Sequence, residues 1–184
     1  MVFEEKTVSS EIIYKGRILN LRKDIVEACS GKAAEREIVE HDGGVTLAAI
    51  TADGKMVMVK QFRKAAGKAV LEAPAGKREK GEDPRATAAR ELKEETGYTA
   101  AAYELLTKFY ASVGYSEEVI YIYLCTGLTP GATEFDENEA LDVLEYDLDE
   151  LYEMAACGEL EDSKTIIAVL LAKIHMGKRE RGYV

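Results

Sequence analysis

The segment GEDPRATAARELKEETGY, residues 81–98, constrains this 184-residue chain more than any other stretch. It predicts one helix that has Pro84 in the first helical position and ends at Gly97. On such a helix Glu91 and Glu95 lie four residues apart and share one face. Like charges at this spacing destabilise a helix by roughly 0.2–0.5 kcal/mol per pair. The pattern indicates either a cation held between the carboxylates or an acidic face solvated by water.

The charges available nearby favour a bound metal ion. Arg90 lies four residues before Glu94 and can pair with it on the flank of the helix. That pairing leaves Glu91 and Glu95 without an obvious cation in the adjacent sequence. Mg²⁺ prefers carboxylate and carbonyl oxygens, and a bound ion would turn the repulsion between the two glutamates into attraction.

The run EAPAGKREKGE, residues 72–82, leads into this helix. Gly76 permits backbone conformations that other residues avoid, so we expect a bend here that turns neighbouring carbonyl groups inward. A loop of this kind that leads to a metal-lined helix suits a diphosphate ligand.

The overall charge and the cysteines limit the classes of partner and compartment. The chain has 24 Lys and Arg against 34 Asp and Glu, which gives a formal net charge of −10. Nucleic acids and anionic membranes bind basic surfaces, so we expect neither as a partner. Three widely spaced cysteines without a C-x-x-C pair favour reduced thiols. With no signal peptide and no membrane span in the sequence, a cytoplasmic protein is expected.

Hydrophobic periodicity predicts a mixed α/β fold. Strands are expected in 11–40, on both sides of an Asp-Gly turn in a hairpin over 45–62, around 69–73, in 103–110 and in 118–128. Two further helices are expected from Asp147 to near Gly158 and over about 162–176, followed by a frayed tail. This interleaving favours an α/β/α sandwich with a mixed sheet. We expect a small N-terminal antiparallel β subdomain at 1–42 and a main domain at 43–184.

The helix belongs to a longer motif. Gly76, Glu82 and the run RELKEETGY at 90–98 fill every fixed position of G-x5-E-x7-R-E-U-x-E-E-x-G-U. In this the chain resembles the Nudix hydrolases. The resemblance implies an α/β/α sandwich that hydrolyses a nucleoside diphosphate linked to another moiety. It implies that Glu91 and Glu95 bind Mg²⁺, with Mn²⁺ as an alternative ion, and that Arg90 orients the glutamates.

The flanks resemble the ADP-ribose pyrophosphatase branch over roughly residues 12–172, through its Gln-x-Arg and Glu-x-Pro-Ala-Gly elements. In that branch the carbonyl that corresponds to Ala75 binds metal, and the arginine that corresponds to Arg63 lies by the substrate. The arginine matching Arg36 comes from the partner subunit, which implies a homodimer with exchanged N-terminal strands. Glu118 aligns with a glutamate of a substrate-facing loop. Judged without the family, Arg63 is either a bidentate phosphate ligand or a surface arginine.

A second acidic run, EFDENEALDVLEY at 134–146, offers a catalytic base. Taken alone it is a polar loop before a strand. Its resemblance to the mobile catalytic loop of the branch makes Glu137 the candidate base and Glu139 a further metal ligand. Glu94 is the competing base, and the sequence leaves this choice open. A carboxylate base suffices where metal ions lower the pKa of water.

One position departs from the branch, which usually has Ser-Pro-Gly where this chain has Ser112-Val113-Gly114. A proline would preset the bend of this loop, so its loss bears on substrate preference. We expect Mg²⁺-dependent hydrolysis of ADP-ribose to AMP and ribose 5-phosphate, with other nucleoside diphosphate sugars as the alternative substrates. A non-catalytic ligand sensor is the third interpretation, and the intact set of glutamates disfavours it.

Overall fold

The computed structural model describes residues 2–133 and 140–180, the side chains of 179 and 180 excepted. The chain divides into two compact units. One comprises residues 1–43 and 109–119, and the other comprises residues 44–108 and 120–184. None of the described helices is long and apolar enough to cross a membrane.

The first unit contains an antiparallel sheet of three consecutive strands, β1 (Lys6–Lys15), β2 (Asn20–Glu27) and β3 (Ala33–Glu40). The side chains of β1 are exposed along its whole length. The loop at 111–118 is fastened to β3 by two backbone hydrogen bonds: Val39 N–H donates to the Tyr115 carbonyl at 2.7 Å, and Glu117 N–H donates to the Val39 carbonyl at 2.9 Å. The N-terminal sheet therefore fixes the course of this loop.

The other elements lie in or extend from the second unit: β4 (Gly44–Ala49), β5 (Lys55–Arg63), β6 (Lys68–Glu72), β7 (Ala75–Lys77), α1 (Pro84–Thr96), β8 (Thr99–Tyr110), β9 (Val119–Thr129), β10 (Leu141–Asp147), α2 (Leu148–Cys157) and α3 (Ser163–Glu180). Within the described residues, one sheet has the order β7-β4-β9-β8 and another has the order β10-β5-β6. The first of these is mixed, because β4 is parallel to β9 and antiparallel to β7.

The core lies on both faces of β4, whose residues are all buried. Val45 and Leu47 pack with Ala88 and Leu92 of α1. Helix α3 also contacts β4. A strand buried on both faces between helices is the pattern of an α/β/α sandwich, so the predicted fold class is confirmed.

The prediction of a hairpin over 45–62 is correct for its turn and wrong for the pairing of its two strands. The turn forms, with Thr51 N–H donating to the Lys55 carbonyl at 2.9 Å, but only an isolated bridge joins Ile50 to Met56. β4 then pairs with β7 and β9, whereas β5 pairs with β6 and β10. Both strands are rich in buried apolar residues. Each strand is paired on both of its sides, β4 with β7 and β9 and β5 with β6 and β10, so the two do not form a ladder with one another.

The predicted bounds of α1 are confirmed. The Asp83 carboxylate accepts a hydrogen bond from Ala86 N–H at 3.0 Å, and Gly97 ends the helix with φ of 73°. The tail predicted to fray from residue 177 instead continues α3 to Glu180. Lys, Arg and Glu are good helix formers, which explains the extension.

Candidate active site

The site is built where β7 meets α1. Ala75 N–H donates a hydrogen bond of 2.9 Å to the Glu95 carboxylate. Only 5% of Glu95 is exposed, so this glutamate faces the strand rather than solvent. A buried carboxylate requires hydrogen-bond or cationic partners, and the strand backbone supplies one of them.

Gly76 makes room for the second glutamate. A Cβ placed on Gly76 would lie 1.8 Å from Cδ of Glu91, so the Glu91 carboxylate lies against the bare backbone of β7. Our expectation that Gly76 adopts a special backbone conformation is wrong: it lies in a strand and is not among the glycines with positive φ. Glycine is required at this position because a side chain would occupy the space that the Glu91 carboxylate fills.

Arg90 pairs with more of the helix glutamates than we predicted. Its Nη1 lies 2.8 Å from Glu91 and 2.9 Å from Glu94, so Glu91 does have a cation beside it in sequence. The Arg90 Nε and Nη2 atoms each lie 3.3 Å from Glu82. One guanidinium therefore holds three carboxylates, and it orients Glu91 and Glu94 on the helix.

Glu82 closes the loop that leads into α1. Its carboxylate accepts the Glu79 N–H at 2.9 Å as well as the bonds from Arg90. Burial raises the pKa of Glu82, but the Glu79, Arg90 and Thr87 hydrogen bonds outweigh it and lower the pKa to about 2. Glu82 was not among the predicted site residues, although its fixed place in the motif was a signal.

Glu82→Gln is expected to destabilise the protein at neutral pH and to lose this effect in acid. A carboxyl group whose pKa is lowered on folding stabilises the folded state above its unfolded pKa, here 4.5, and stops doing so as pH falls towards about 2. The free energies of unfolding of wild type and variant should therefore approach each other as pH falls from 4.5 and converge near the folded pKa of about 2. Urea denaturation at several pH values measures this.

Glu79→Gln is the matched control, because the Glu79 side chain is exposed in the same loop and only the backbone groups of Glu79 bond to Glu82. Its difference from wild type should be small at every pH. A Glu82→Gln deficit that stayed constant from neutral to acid pH would contradict the lowered pKa.

Arg63 is held by a carboxylate that our sequence reasoning overlooked. Its Nε and Nη2 donate to Glu72 at 2.6 and 2.8 Å, and only 2% of the Glu72 side chain is exposed. The Nη1 atom of Arg63 makes no hydrogen bond with the described residues. Glu72 and Glu95 both raise the pKa of Arg63, which keeps the guanidinium charged beside the site.

Four predicted site residues remain: Arg36, Glu118, Glu137 and Glu139. Arg36 and Glu118 belong to the first unit, where Arg36 forms an ion pair with Glu5 and a Glu118 oxygen lies 3.6 Å from His41 Nδ1. The predicted base Glu137 and ligand Glu139 lie outside the described residues.

The donor set fits a hard divalent cation. No group of three His, Cys, Asp or Glu side chains among the described residues is arranged as a complete metal site. Glu91 and Glu95 nevertheless converge on the backbone of β7, one against Gly76 and one against Ala75. Carboxylates beside a strand backbone offer only oxygen ligands, the kind that Mg²⁺ and Mn²⁺ prefer.

The chain matches known protein families over most of its length. Residues 33–168 match the NUDIX domain, and residues 5–39 match the nucleoside diphosphate sugar hydrolase N-terminal domain. The chain is 47% identical over 170 residues to the methanol dehydrogenase activator of Bacillus methanolicus, covering 91% of this chain and 92% of that protein. It is 44% identical over 168 residues to the ADP-ribose pyrophosphatase of Bacillus subtilis, covering 90% and 91%.

A solved structure of an ADP compounds hydrolase matches 100% of this chain and 99% of its own, with a TM-score of 0.84 at 20% identity. At that identity the likeness shows the fold. The match to the NUDIX domain also shows the family, because it spans most of the chain. The chain belongs to the Nudix hydrolases and is an enzyme of that family.

Proposed function

We propose that this enzyme hydrolyses the diphosphate of ADP-ribose to AMP and ribose 5-phosphate, and that it requires Mg²⁺. The observation that carries the proposal is the convergence of Glu91 and Glu95 on the backbone of β7, a set of oxygen donors that Arg90 helps to orient. The B. subtilis relative with this activity aligns over 90% of the chain, which supports the choice of substrate.

The residues proposed to hold Mg²⁺ are Glu91, Glu95 and the carbonyl of Ala75, with Glu139 as a further ligand. When bound, the ion neutralises charge on the diphosphate and lowers the pKa of a water molecule. Water attacks one phosphorus, the bridging P–O bond breaks, and the bridging oxygen leaves with the other phosphate. The proton from water passes to a carboxylate base, Glu137 or Glu94.

Arg90 and Arg63 have different tasks in this scheme. Arg90 is already bonded to Glu82, Glu91 and Glu94, so it orients the carboxylates rather than the substrate. Arg63 is anchored through Nε and Nη2 and keeps Nη1 for a phosphate oxygen. A guanidinium anchored in this way loses little side-chain entropy when it binds the diphosphate.

The first unit is proposed to form a homodimer, as the resemblance implies, with 1–42 as a dimerising β subdomain and 43–184 as the hydrolase domain. Strand β1 supports this, because it is the edge strand of its sheet and exposes apolar side chains, among them Val8, Ile12 and Tyr14. Arg36 and Glu118 are then proposed to contact substrate. The three free cysteines support a cytoplasmic location.

A substrate panel tests the function. Phosphate release coupled to a phosphatase should show ADP-ribose turning over at least about tenfold faster than ADP-glucose, GDP-mannose or a diadenosine compound. Removal of Mg²⁺ with a chelator should abolish turnover, and added Mg²⁺ should restore it. Silence across the panel, with metal bound, would favour a ligand sensor.

The second candidate is hydrolysis of another nucleoside diphosphate sugar. It is favoured by the match of residues 5–39 to the nucleoside diphosphate sugar hydrolase N-terminal domain and by Val113, which is 85% exposed and stands where the branch usually has proline. A broad or shifted preference in the same panel would select it. Adding the chain to a methanol dehydrogenase assay tests the role named for the B. methanolicus relative.

A further inference from the structure

The link from Ala73 to Ala75 carries the chain from one sheet to another. β6 pairs with β5, and β7 pairs with β4 from Ala75 onwards, so the backbone groups of Ala73 and Pro74 lie outside both ladders. Buried backbone groups in such a place require other partners. Leu47 N–H donates to the Pro74 carbonyl at 2.8 Å, and Ala75 N–H donates to Glu95 at 2.9 Å.

The remaining N–H of the link is satisfied by a side chain from α3. Ala73 N–H donates to the Thr165 hydroxyl oxygen at 2.8 Å, and both residues are fully buried. The Thr165 hydroxyl donates in turn to Oδ2 of Asp162 at 2.5 Å, and Thr165 N–H donates to the same oxygen at 3.0 Å. Because its proton is committed to Asp162, the hydroxyl presents its lone pairs to Ala73.

We propose that Thr165, oriented by Asp162, is a positioning residue for the metal-binding edge of β7. The inference rests on the proposed metal-dependent function. Ala73 lies two residues before Ala75 and three before Gly76, so a shift of the link moves the backbone against which Glu95 and Glu91 lie. Mg²⁺ demands near-ideal geometry at about 2.0–2.1 Å, so small shifts of its ligands weaken binding.

The arrangement also predicts that loss of Thr165 leaves the fold in place. The bonds from Leu47 to Pro74 and from Ala75 to Glu95 do not involve α3, so they keep β7 on its sheet while the Ala73 end of the link shifts. Thr165→Val keeps the shape of the side chain but leaves Ala73 N–H without its acceptor and Asp162 without the hydroxyl donor. The link then relaxes away from α3, whereas Thr165→Ser retains the hydroxyl and should rescue the variant.

Binding of Mn²⁺, followed by the electron paramagnetic resonance signal of the free ion, tests the proposal without relying on activity. Measured well below each melting temperature, Thr165→Val should weaken Mn²⁺ binding by about tenfold or more. The Mn²⁺ affinity of Thr165→Ser should remain within about twofold of wild type. This is a smaller change than the loss expected when an outer-shell interaction is removed. The Mg²⁺ concentration for half-maximal turnover should rise in parallel in the valine variant.

Leu151→Val is the matched control, because Leu151 is fully buried in α2 and its truncation destabilises the protein without touching the link. It should lower the melting temperature and leave Mn²⁺ affinity unchanged. Equal loss of affinity in Leu151→Val and Thr165→Val would overturn the inference, since the effect would then follow from stability alone. Wild-type affinity in Thr165→Val would overturn it as well.

A second variant covers the case in which Thr165→Val fails to fold. Asp162→Asn retains an oxygen acceptor for the helix end but weakens the bond that orients the hydroxyl, so it should give a smaller loss of Mn²⁺ affinity. No loss in that variant would overturn the inference, and so would absence of Mn²⁺ binding by wild type. A wild-type protein that binds Mn²⁺ but hydrolyses nothing would defeat the proposed function alone.

Discussion

Glu95→Gln is expected to lower kcat by at least about 10³-fold while the chain stays folded. Glutamine keeps an oxygen that can accept the Ala75 N–H, the 2.9 Å bond that ties α1 to β7. It removes the negative charge that the proposed metal site requires, and with it the repulsion from Glu91. Activity should therefore fall while the free energy of unfolding stays equal or rises, a combination that a damaged fold cannot give.

The measurement is kcat at saturating Mg²⁺ together with urea denaturation in the absence of metal. Glu153→Gln, an exposed glutamate in α2, is the control for loss of one negative charge and should match wild type in both. If the kcat of Glu95→Gln were within about tenfold of wild type, the metal-site proposal would fail. Such a decrease is smaller than the one caused by removing a single stabilising group from other active sites.

The parts of the fold that could be predicted from the sequence are those determined by residues close together in the chain. Helix α1 could be bounded because its cap Asp83, its Pro84 and its terminal Gly97 all lie within or next to the helix. The motif that identifies the family includes the same helix, so fold class and candidate site were predicted together. The convergence of Glu91 and Glu95 likewise follows from helical spacing alone.

The parts that sequence missed depend on distant partners. The Asp-Gly turn after β4 forms locally, yet β4 pairs with β9, far along the chain, instead of β5. The position of Gly76 could be predicted but its physical reason could not, because the space it leaves is filled by a carboxylate from another element. Thr165 contacts Ala73 across 92 residues, and no periodicity signals such a contact.

The network around Glu72 is the clearest case, and it leads to the largest expected change in stability. Glu72 joins Arg63 from β5 and Lys164 from α3, with Lys164 Nζ at 2.6 Å. Burial raises the pKa of Glu72, but the bonds and charges of these two cations outweigh it and lower the pKa overall. The carboxylate is therefore ionised, and two cations depend on it for charge compensation.

Glu72→Gln should cost about 3 kcal/mol, because it leaves Arg63 and Lys164 facing a neutral amide at a buried position. For a chain of this size that is a fall of about 10 °C in melting temperature. Glu161→Gln is the matched control: Glu161 pairs with Lys68 at 2.6 Å, but both side chains are about half exposed, at 53% and 52%. Loss of this exposed ion pair should lower the free energy of unfolding by less than about 1 kcal/mol.

The pH dependence separates loss of charge from loss of packing in Glu72→Gln. Because the pKa of Glu72 is lowered from 4.5, its stabilisation is complete above that value and is lost as pH falls through the folded pKa. The deficit of Glu72→Gln relative to wild type should therefore be full at neutral pH and shrink in acid. A deficit that is equal at neutral pH and at about pH 3, well below the ordinary pKa of a glutamate, would assign the effect to packing. Arg63 would then be held by shape rather than by the charge of Glu72.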